Sequence, residues 1–144
     1  MITETKLTVR YAETDQMGIV HHSNYAVWFE AGRMELLELL GTSNEQIEEN
    51  GILIPLYELK CQFKSPAKFG EEVIVRSRIK AVSRARLSFS YEVLRSSNDE
   101  VIALGETDHA WTDRTLKPVN VEKRIPEIYK KMFYQNKLNQ EKGI

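Results

Sequence analysis

The chain has 144 residues, of which 42% are hydrophobic and 28% are charged, and its formal net charge at pH 7 is −1. This is the composition of a globular protein with a hydrophobic core, and it excludes a disordered chain. A nearly neutral chain has no long-range attraction to nucleic acid or to anionic lipid, so we expect no nucleic-acid partner and no membrane insertion. Because Cys61 is the single cysteine, an intrachain disulfide and a multi-cysteine metal site are excluded.

The sequence has no segment that is typical of a signal peptide, a membrane span or a linker between domains. The N-terminal run MITETKLTVRYAE alternates polar and apolar residues and has no apolar core of signal-peptide length. Because no uncharged apolar stretch approaches about twenty residues either, we expect a cytoplasmic protein. No repeat or Ser/Gly/Pro-rich linker divides the sequence, so we expect one domain over residues 1–144, in which residues 134–144 form a frayed tail.

The first half of the chain predicts one strand and two helices. Alternation of Leu7, Val9 and Tyr11 with polar residues predicts a strand that ends near Glu13. A capping-box pattern at positions 43 and 46 predicts a short second helix. Between them, apolar residues at helical spacing predict a helix of about seventeen residues that ends at Gly41. The spaced residues are Tyr25, Trp28, Phe29, Gly32, Leu36, Leu39 and Leu40.

The second half predicts four strands. They are the β-rich runs at residues 53–63, 72–82, 86–95 and 101–113, which turn-forming segments separate. Pro126 is suited to the first turn of a short last helix. Several strands after one long helix predict an antiparallel sheet with the helix packed on one side, which is an α+β fold.

The run from Tyr11 to Arg33, YAETDQMGIVHHSNYAVWFEAGR, combines the groups that acyl-transfer chemistry requires. Asp15 offers a carboxylate and Gly18 a turn. His22 precedes the long helix, whose first backbone N–H groups lack intrahelical partners and carry partial positive charge. A donor fixed where an oxyanion develops contributes about 2.7–4 kcal/mol in typical mutagenesis. The run therefore predicts a carboxylate next to an oxyanion donor.

These residues resemble the acyl-CoA thioesterases of the 4-hydroxybenzoyl-CoA thioesterase family, in particular the branch associated with the Tol-Pal system. A second stretch, FKSPAKFGEEVIV, also fits, and the similarity extends to Lys117. The resemblance implies a hotdog fold, in which an antiparallel sheet wraps around a long central helix. It also implies a homo-oligomer, as a dimer or a dimer of dimers, with the acyl chain in a cleft between subunits. The positions in register with the family are Tyr11, Asp15, Gly18, His22, Asn24, Tyr25, Glu30 and Arg33.

The resemblance implies a reaction and a role for each residue. The reaction is hydrolysis of an acyl-CoA thioester to free acid and coenzyme A, without a cofactor. Asp15 attacks the carbonyl or activates a water, and the sequence leaves both roles open. The backbone N–H of His22 polarises the carbonyl, and Gly18 lets the loop turn where a Cβ would interfere. Tyr11 orders Asp15 or the water, and Glu30 is an alternative catalytic carboxylate.

Each of these assignments also has a simpler structural reading. Asp15 could make an Asx-type turn bond ahead of Gly18. The His22 imidazole could bond to Asp15 or serve only as a helix cap. Glu30 could pair with Arg33 at i, i+3 or make a contact across a subunit interface. Three aromatic residues of the helix are interpreted as core residues: Tyr25, Trp28 and Phe29.

The substrate-binding candidates are Gly18, Val20, Asn24, Glu30, Lys64, Arg84 and Arg86. The three cations lie in and near strand turns and would hold the phosphates of coenzyme A, although each exposed charge contact contributes little. Gln16, Met17 and His21 depart from the family pattern, and we expect them to tune the acyl pocket.

A metal site and two other functions are the alternatives to this prediction. Asp15, His21 and His22 resemble zinc ligands, but adjacent side chains are expected to point apart, His109 is distant in sequence, and no His pair has i, i+4 spacing. The alternative function is a non-catalytic module that binds or senses acyl-CoA, which would need an inert Asp15. A hotdog dehydratase would need a different motif, which the sequence lacks.

Overall fold

The computed structural model describes residues 1–143, which contain five strands in one antiparallel sheet. Along the sheet the strands lie in the order first, third, fourth, fifth and second. Their bounds are β1 (Thr3–Thr8), β2 (Leu56–Phe63), β3 (Glu72–Val82), β4 (Arg86–Arg95) and β5 (Val101–Ala110).

The helices lie before, between and after the strands. They are α1 (Ser23–Leu39), α2 (Asn44–Glu49), α3 (Val121–Arg124) and α4 (Pro126–Glu141), and a 3₁₀ turn spans Tyr11–Glu13. The 17 residues of α1 confirm the predicted long helix. The Ser43 side chain accepts a hydrogen bond from the Gln46 N–H at 3.1 Å, as the capping pattern predicts. Within residues 1–143, no helix is both long and apolar enough to cross a membrane.

The core lies between α1 and one face of the sheet. On β4, Phe89 and Tyr91 are each 1% exposed, and the Phe29 ring of α1 stacks on Tyr91 with centroids 4.5 Å apart. A Cβ at Gly32 would lie 2.2 Å from the Ser77 hydroxyl of β3, so glycine is required for α1 to approach the sheet this closely. Full burial of one such apolar side chain contributes about 1.5–3 kcal/mol. The predicted α+β hotdog arrangement, a sheet wrapped around a long helix, is confirmed.

β2 lies at the edge of the sheet, where it pairs with β5. Seven of its eight residues are exposed, including four large apolar ones at 40–54%. A long apolar edge with unpaired backbone groups is a template for pairing with another chain. The four apolar residues are Leu56, Tyr57, Leu59 and Phe63.

Three strand boundaries differ from those predicted, and one of them is the end of β5, at Ala110 instead of residue 113. β1 ends at Thr8, and Tyr11 opens the 3₁₀ turn, because the Glu13 carboxylate accepts the Arg10 N–H at 2.8 Å and turns the chain out of the sheet. β2 begins three residues later than predicted, after Pro55, which has no N–H to give to a strand ladder.

The prediction of a frayed tail over residues 134–144 was wrong as far as Glu141. α4 continues to that residue, and Asn139 is 1% exposed. The Asn139 side chain donates to the Ile79 carbonyl at 3.2 Å, so a polar residue anchors the helix to β3. The last predicted residue of the tail, position 144, lies outside the described residues.

Candidate active site

A tight loop connects the 3₁₀ turn to α1 and carries Asp15. The Asp15 N–H donates to the Ile19 carbonyl at 2.9 Å, and the Gly18 N–H donates to the Asp15 carbonyl at 3.0 Å. Gly18 has φ of +79°, which a residue with a Cβ rarely adopts. A Cβ there would meet no atom within 4 Å, so the expected steric interference is wrong and the backbone conformation is what requires glycine.

The Asp15 carboxylate combines a structural bond with a free oxygen. Its Oδ1 accepts the Met17 N–H at 2.8 Å, so the Asx-type turn exists. Its Oδ2 accepts no hydrogen bond from residues 1–143. Asp15 is half-buried. The turn bond therefore fixes the carboxylate and leaves one oxygen available.

His22 is the N-cap of α1, with helical φ and ψ of −55° and −28° and no capping bond from its side chain. The next N–H groups have local partners. The Ser23 N–H donates to the His21 imidazole at 3.2 Å, and the Asn24 N–H donates to the His21 carbonyl at 3.0 Å. The backbone N–H of His22 has no hydrogen-bond partner among residues 1–143. It is therefore a free donor at the positive end of the helix dipole.

Glu13 anchors this loop, and the sequence analysis did not identify it. Its buried carboxylate accepts the Trp28 indole N–H at 2.9 Å. Its carbonyl accepts the His21 N–H at 2.8 Å and the Asn24 side-chain N–H at 3.0 Å. Asn24, predicted to bind substrate, therefore holds the loop against the helix. Glu13 lies within the motif run, but its role depends on Trp28, which was interpreted as core.

A cleft of about 380 Å³ opens between this loop and the segment that follows β2. The structure thus brings together four of the predicted site residues, Asp15, Val20, His22 and Lys64, and also Met17, which was expected to tune the pocket. The full lining is Asp15, Met17, Ile19, Val20, His22, Tyr25, Phe63, Lys64, Ser65 and Pro66.

Tyr25 lines the cleft as well as the core. It is 3% exposed, and its ring lies edge-on to Phe63 with centroids 5.0 Å apart. Burial, with a smaller contribution from Cys61, raises the pKa of Tyr25 to about 12, so the phenol stays neutral and can donate a hydrogen bond. Burial also raises the pKa of the Cys61 thiol to about 11, so that thiol is not a nucleophile at neutral pH.

Several predicted residues lie outside the cleft. Tyr11 is 76% exposed and packs edge-on against Phe69 with centroids 5.7 Å apart, and it does not line the cleft that contains Asp15. Gly18 shapes the loop without lining the cleft. Glu30 is exposed on α1, and it forms no ion pair with Arg33 within residues 1–143.

Arg84 and Arg86 lie at the far end of the sheet. Arg84 lies in the turn between β3 and β4, and Arg86 begins β4, whereas the cleft adjoins the other end of β4, about 30 Å along the strand. Arg84 pairs with Glu122 at 2.9 Å, and Arg86 lies over the Tyr57 ring, 5.2 Å from its centroid. Within one chain, neither reaches the cleft.

The two adjacent histidines do not point apart as expected. The rings of His21 and His22 are 4.1 Å apart between centroids, because His21 Nδ1 is held by the Ser23 hydroxyl at 2.8 Å. Residues 1–143 contain no group of three or more His, Cys, Asp or Glu side chains that could hold a metal ion.

A larger depression, of about 650 Å³, lies on the face of the sheet turned away from α1. Two of its lysines already have acidic partners: Lys80 pairs with Glu106 in the same lining at 2.8 Å, and Lys60 pairs with Glu58 outside it at 3.1 Å. It has no free donor at a helix start, so the smaller cleft is the candidate active site.

Comparisons with known proteins show thioesterases that are similar to this chain in sequence and in fold. A provisionally named acyl-CoA thioesterase of Bacillus subtilis is 32% identical over 127 residues, which cover 88% of this chain and 91% of that protein. An acyl-acyl carrier protein thioesterase of Arabidopsis thaliana chloroplasts is 32% identical over 90% of this chain and 66% of its own length. A crystal structure of a DHNA-CoA thioesterase from Staphylococcus aureus, 29% identical, superposes with a TM-score of 0.92 over 99% of this chain and 95% of that one.

The family comparison covers most of the chain. A protein-family model described as "Thioesterase-like superfamily" matches residues 9–132, which begin directly after β1 and extend into α4. That range includes every residue that lines the cleft. The chain belongs to the thioesterase-like superfamily.

Proposed function

We propose that the protein hydrolyses acyl-CoA thioesters to the free acid and coenzyme A in the cleft between the Asp15 loop and the segment after β2. The observation that carries the proposal is the presence of two unpaired groups at this cleft. They are Asp15 Oδ2, an acceptor, and the His22 N–H, a donor, neither of which has a partner among residues 1–143.

The two groups match the needs of the reaction. Asp15 Oδ2 either attacks the thioester carbonyl, giving a mixed anhydride that water then hydrolyses, or takes a proton from the attacking water. The carbonyl oxygen becomes an oxyanion, which the His22 N–H stabilises. The C–S bond breaks, the thiolate of coenzyme A leaves, and the acyl group departs as the carboxylic acid. The neutral Tyr25 phenol is a further donor in the cleft.

The names of the relatives support a thioester substrate. The Bacillus relative is named for acyl-CoA and the Arabidopsis relative for acyl carrier protein. Both carriers present a thioester, so the reaction is common to them. We propose coenzyme A as the carrier, and affiliation with the Tol-Pal branch and a cytoplasmic location belong to the same proposal.

The edge strand supports a dimer. If β2 of one chain pairs antiparallel with β2 of a second copy, the exposed apolar residues of both edges are covered. In this antiparallel pair, a two-fold axis places the first residues of one β2 beside the last residues of the other.

Tyr57, with Arg86 over its ring, lies near the first residue of β2, and Phe63, which lines the cleft, is its last residue. Arg86 of the second copy would then approach the cleft, which accounts for a coenzyme A cation so far from Asp15 within one chain.

The experiment measures thiol release from acetyl, medium-chain, long-chain and aromatic acyl-CoAs, and from acyl carrier protein thioesters, with Asp15→Asn measured beside the wild type. The proposal expects turnover of at least one class and its loss in Asp15→Asn. Tight acyl-CoA binding without thiol release would indicate the non-catalytic sensing module instead. Turnover of acyl carrier protein thioesters alone would change the carrier and leave the chemistry in place.

A further inference from the structure

Arg95, the last residue of β4, does not line the cleft but binds groups in and behind its wall. Its side chain is 13% exposed. Its Nη1 pairs with the Glu71 carboxylate, and its Nε pairs with Glu100 at 3.2 Å. Its Nη2 donates to the Ser65 hydroxyl at 3.3 Å and to the Pro66 carbonyl at 2.9 Å. The guanidinium therefore joins four partners, two of them in the cleft wall.

Three of these partners, Ser65, Pro66 and Glu71, belong to the β2–β3 connection, residues 64–71. Besides pairing with Arg95, Glu71 accepts the Lys68 N–H at 2.7 Å, which closes the connection on itself. Burial alone would raise the pKa of Glu71, but the hydrogen bonds from Arg95 and from the Lys68 N–H hold it below its ordinary value. The carboxylate thus stays charged and the pair stays intact at neutral pH.

The β2–β3 connection in turn holds the Asp15 loop. Ala67, the residue after Pro66, is fully buried, and its carbonyl accepts the Val20 N–H at 2.9 Å. Ile19, next to Val20, bridges to Lys68 and accepts the Asp15 N–H at 2.9 Å. His22 follows Val20 by two residues. The hydrogen bond between Val20 and Ala67 therefore also helps to fix the position of the free His22 N–H.

We infer that Arg95 is a positioning residue for hydrolysis, which acts through the β2–β3 connection on Asp15 and on the His22 N–H. The inference rests on the proposed function of those two groups. The guanidinium suits this role because its donors form a rigid planar fork that can bond several acceptors at once. A lysine keeps the charge, but its three donors are on one nitrogen and lack the planar fork, so it does not reproduce the geometry that joins Glu71 to Ser65 and Pro66.

The test is Arg95→Lys, measured as kcat and KM on the best substrate of the panel. Displacement of catalytic groups by a fraction of an ångström lowers the chemical step more than ground-state binding. We expect kcat to fall about tenfold and KM to change less than about threefold. We also expect faster hydrogen exchange in peptides that cover residues 15–22, with unchanged exchange in α4.

Met132→Ala is the matched control for a general loss of stability. Met132 is fully buried in α4, away from the cleft, so its truncation lowers Tm. It should leave kcat within twofold of wild type. If Arg95→Lys does not fold, Glu71→Gln replaces it, because glutamine keeps the acceptor and weakens the pair; we then expect a smaller fall in kcat, about threefold.

The outcomes separate this inference from the proposed function. Wild-type kcat in folded Arg95→Lys, or an equal fall in Met132→Ala, overturns the positioning role. Unchanged exchange over residues 15–22 in Arg95→Lys overturns it as well, and this readout does not depend on turnover. Full activity in Asp15→Asn would instead overturn the proposed site.

Discussion

Two polar groups at the cleft, on Asp15 and His22, are unpaired and partly exposed, whereas the polar side chains around His109 on β5 are paired and buried. Asp15 Oδ2 and the His22 N–H have no partner within residues 1–143. By contrast, the Tyr91 hydroxyl bonds to Thr107 Oγ1 at 2.6 Å, and Thr107 Oγ1 also bonds to His109 Nε2 at 2.9 Å. His109 Nδ1 completes this chain at a main-chain carbonyl, 3.2 Å away.

The difference separates groups that react from groups that stabilise. A buried polar group without a partner costs about 1–3 kcal/mol, so the network around His109 must be satisfied for the core to be stable. The half-exposed groups at the cleft avoid most of that cost and remain free for a substrate. The position of a histidine in this sequence therefore says less about its role than the partners it has.

Substitution of His22 is expected to give the largest effect, a loss of kcat, and it tests whether the unpaired N–H at the cleft takes part in the reaction. In His22→Ala the backbone N–H remains, so we expect activity within about tenfold of wild type. In His22→Pro the N–H is lost, and we expect a fall of about a hundredfold or more in kcat. Thiol release by both variants, on the same substrate, gives the comparison.

Proline at position 22 also restricts His21, so circular dichroism and oligomer size must first show an intact protein. A well-assembled His22→Pro variant as active as His22→Ala would mean that another donor stabilises the oxyanion.

The second prediction concerns the buried network around His109 and the free energy of unfolding. Burial, with a contribution from the charge of Arg33, lowers the pKa of His109 from 6.5 to about 4 in the folded protein. Between these values the unfolded chain binds more protons, so the free energy of unfolding should decrease as the pH falls from 6.5 to 4. The total decrease is on the order of 3 kcal/mol.

Urea unfolding at pH 7.5 and at pH 4.5 measures this loss, and His109→Gln is the matched variant because it cannot titrate. We expect the decrease to be smaller in His109→Gln by about 2–3 kcal/mol. Equal decreases in the two proteins would show that His109 does not titrate abnormally.

The smallest expected effect is that of chelation. Residues 1–143 offer no group of three or more candidate ligands, and the proposed chemistry uses a carboxylate and a backbone N–H. We expect exhaustive EDTA treatment to leave kcat within experimental error. Loss of activity that zinc restores would contradict the proposed chemistry at the cleft.

The fold and the local part of the site could be predicted from the sequence because their signals are local. Helical spacing predicted α1, and the spacing from Asp15 to His22 placed both groups at one cleft. The tail was mispredicted because polar composition does not reveal that Asn139 anchors α4 to β3.

The rest of the site depends on contacts between distant segments. Arg95 and Pro66 are 29 positions apart, and no pattern in the sequence predicts that they bond. Arg84 and Arg86 are cations in a turn, as predicted, but strand length places that turn at the wrong end of the sheet within one chain. A family resemblance predicts which residue types belong to the site. The distances between them in the folded chain decide which of these residues can contact the same substrate.

Single-turnover hydrolysis by Asp15→Asn, with acyl-CoA binding measured in parallel, tests the central claim most directly. Asparagine keeps an Oδ1 acceptor for the Met17 N–H, so the turn should survive while the carboxylate is lost. We predict unchanged binding and a chemical step slower by a hundredfold or more, on the order of 3 kcal/mol, with a smaller loss in the control Glu30→Gln. Near-normal hydrolysis by folded Asp15→Asn, or a greater loss in Glu30→Gln, would contradict the assignment of Asp15.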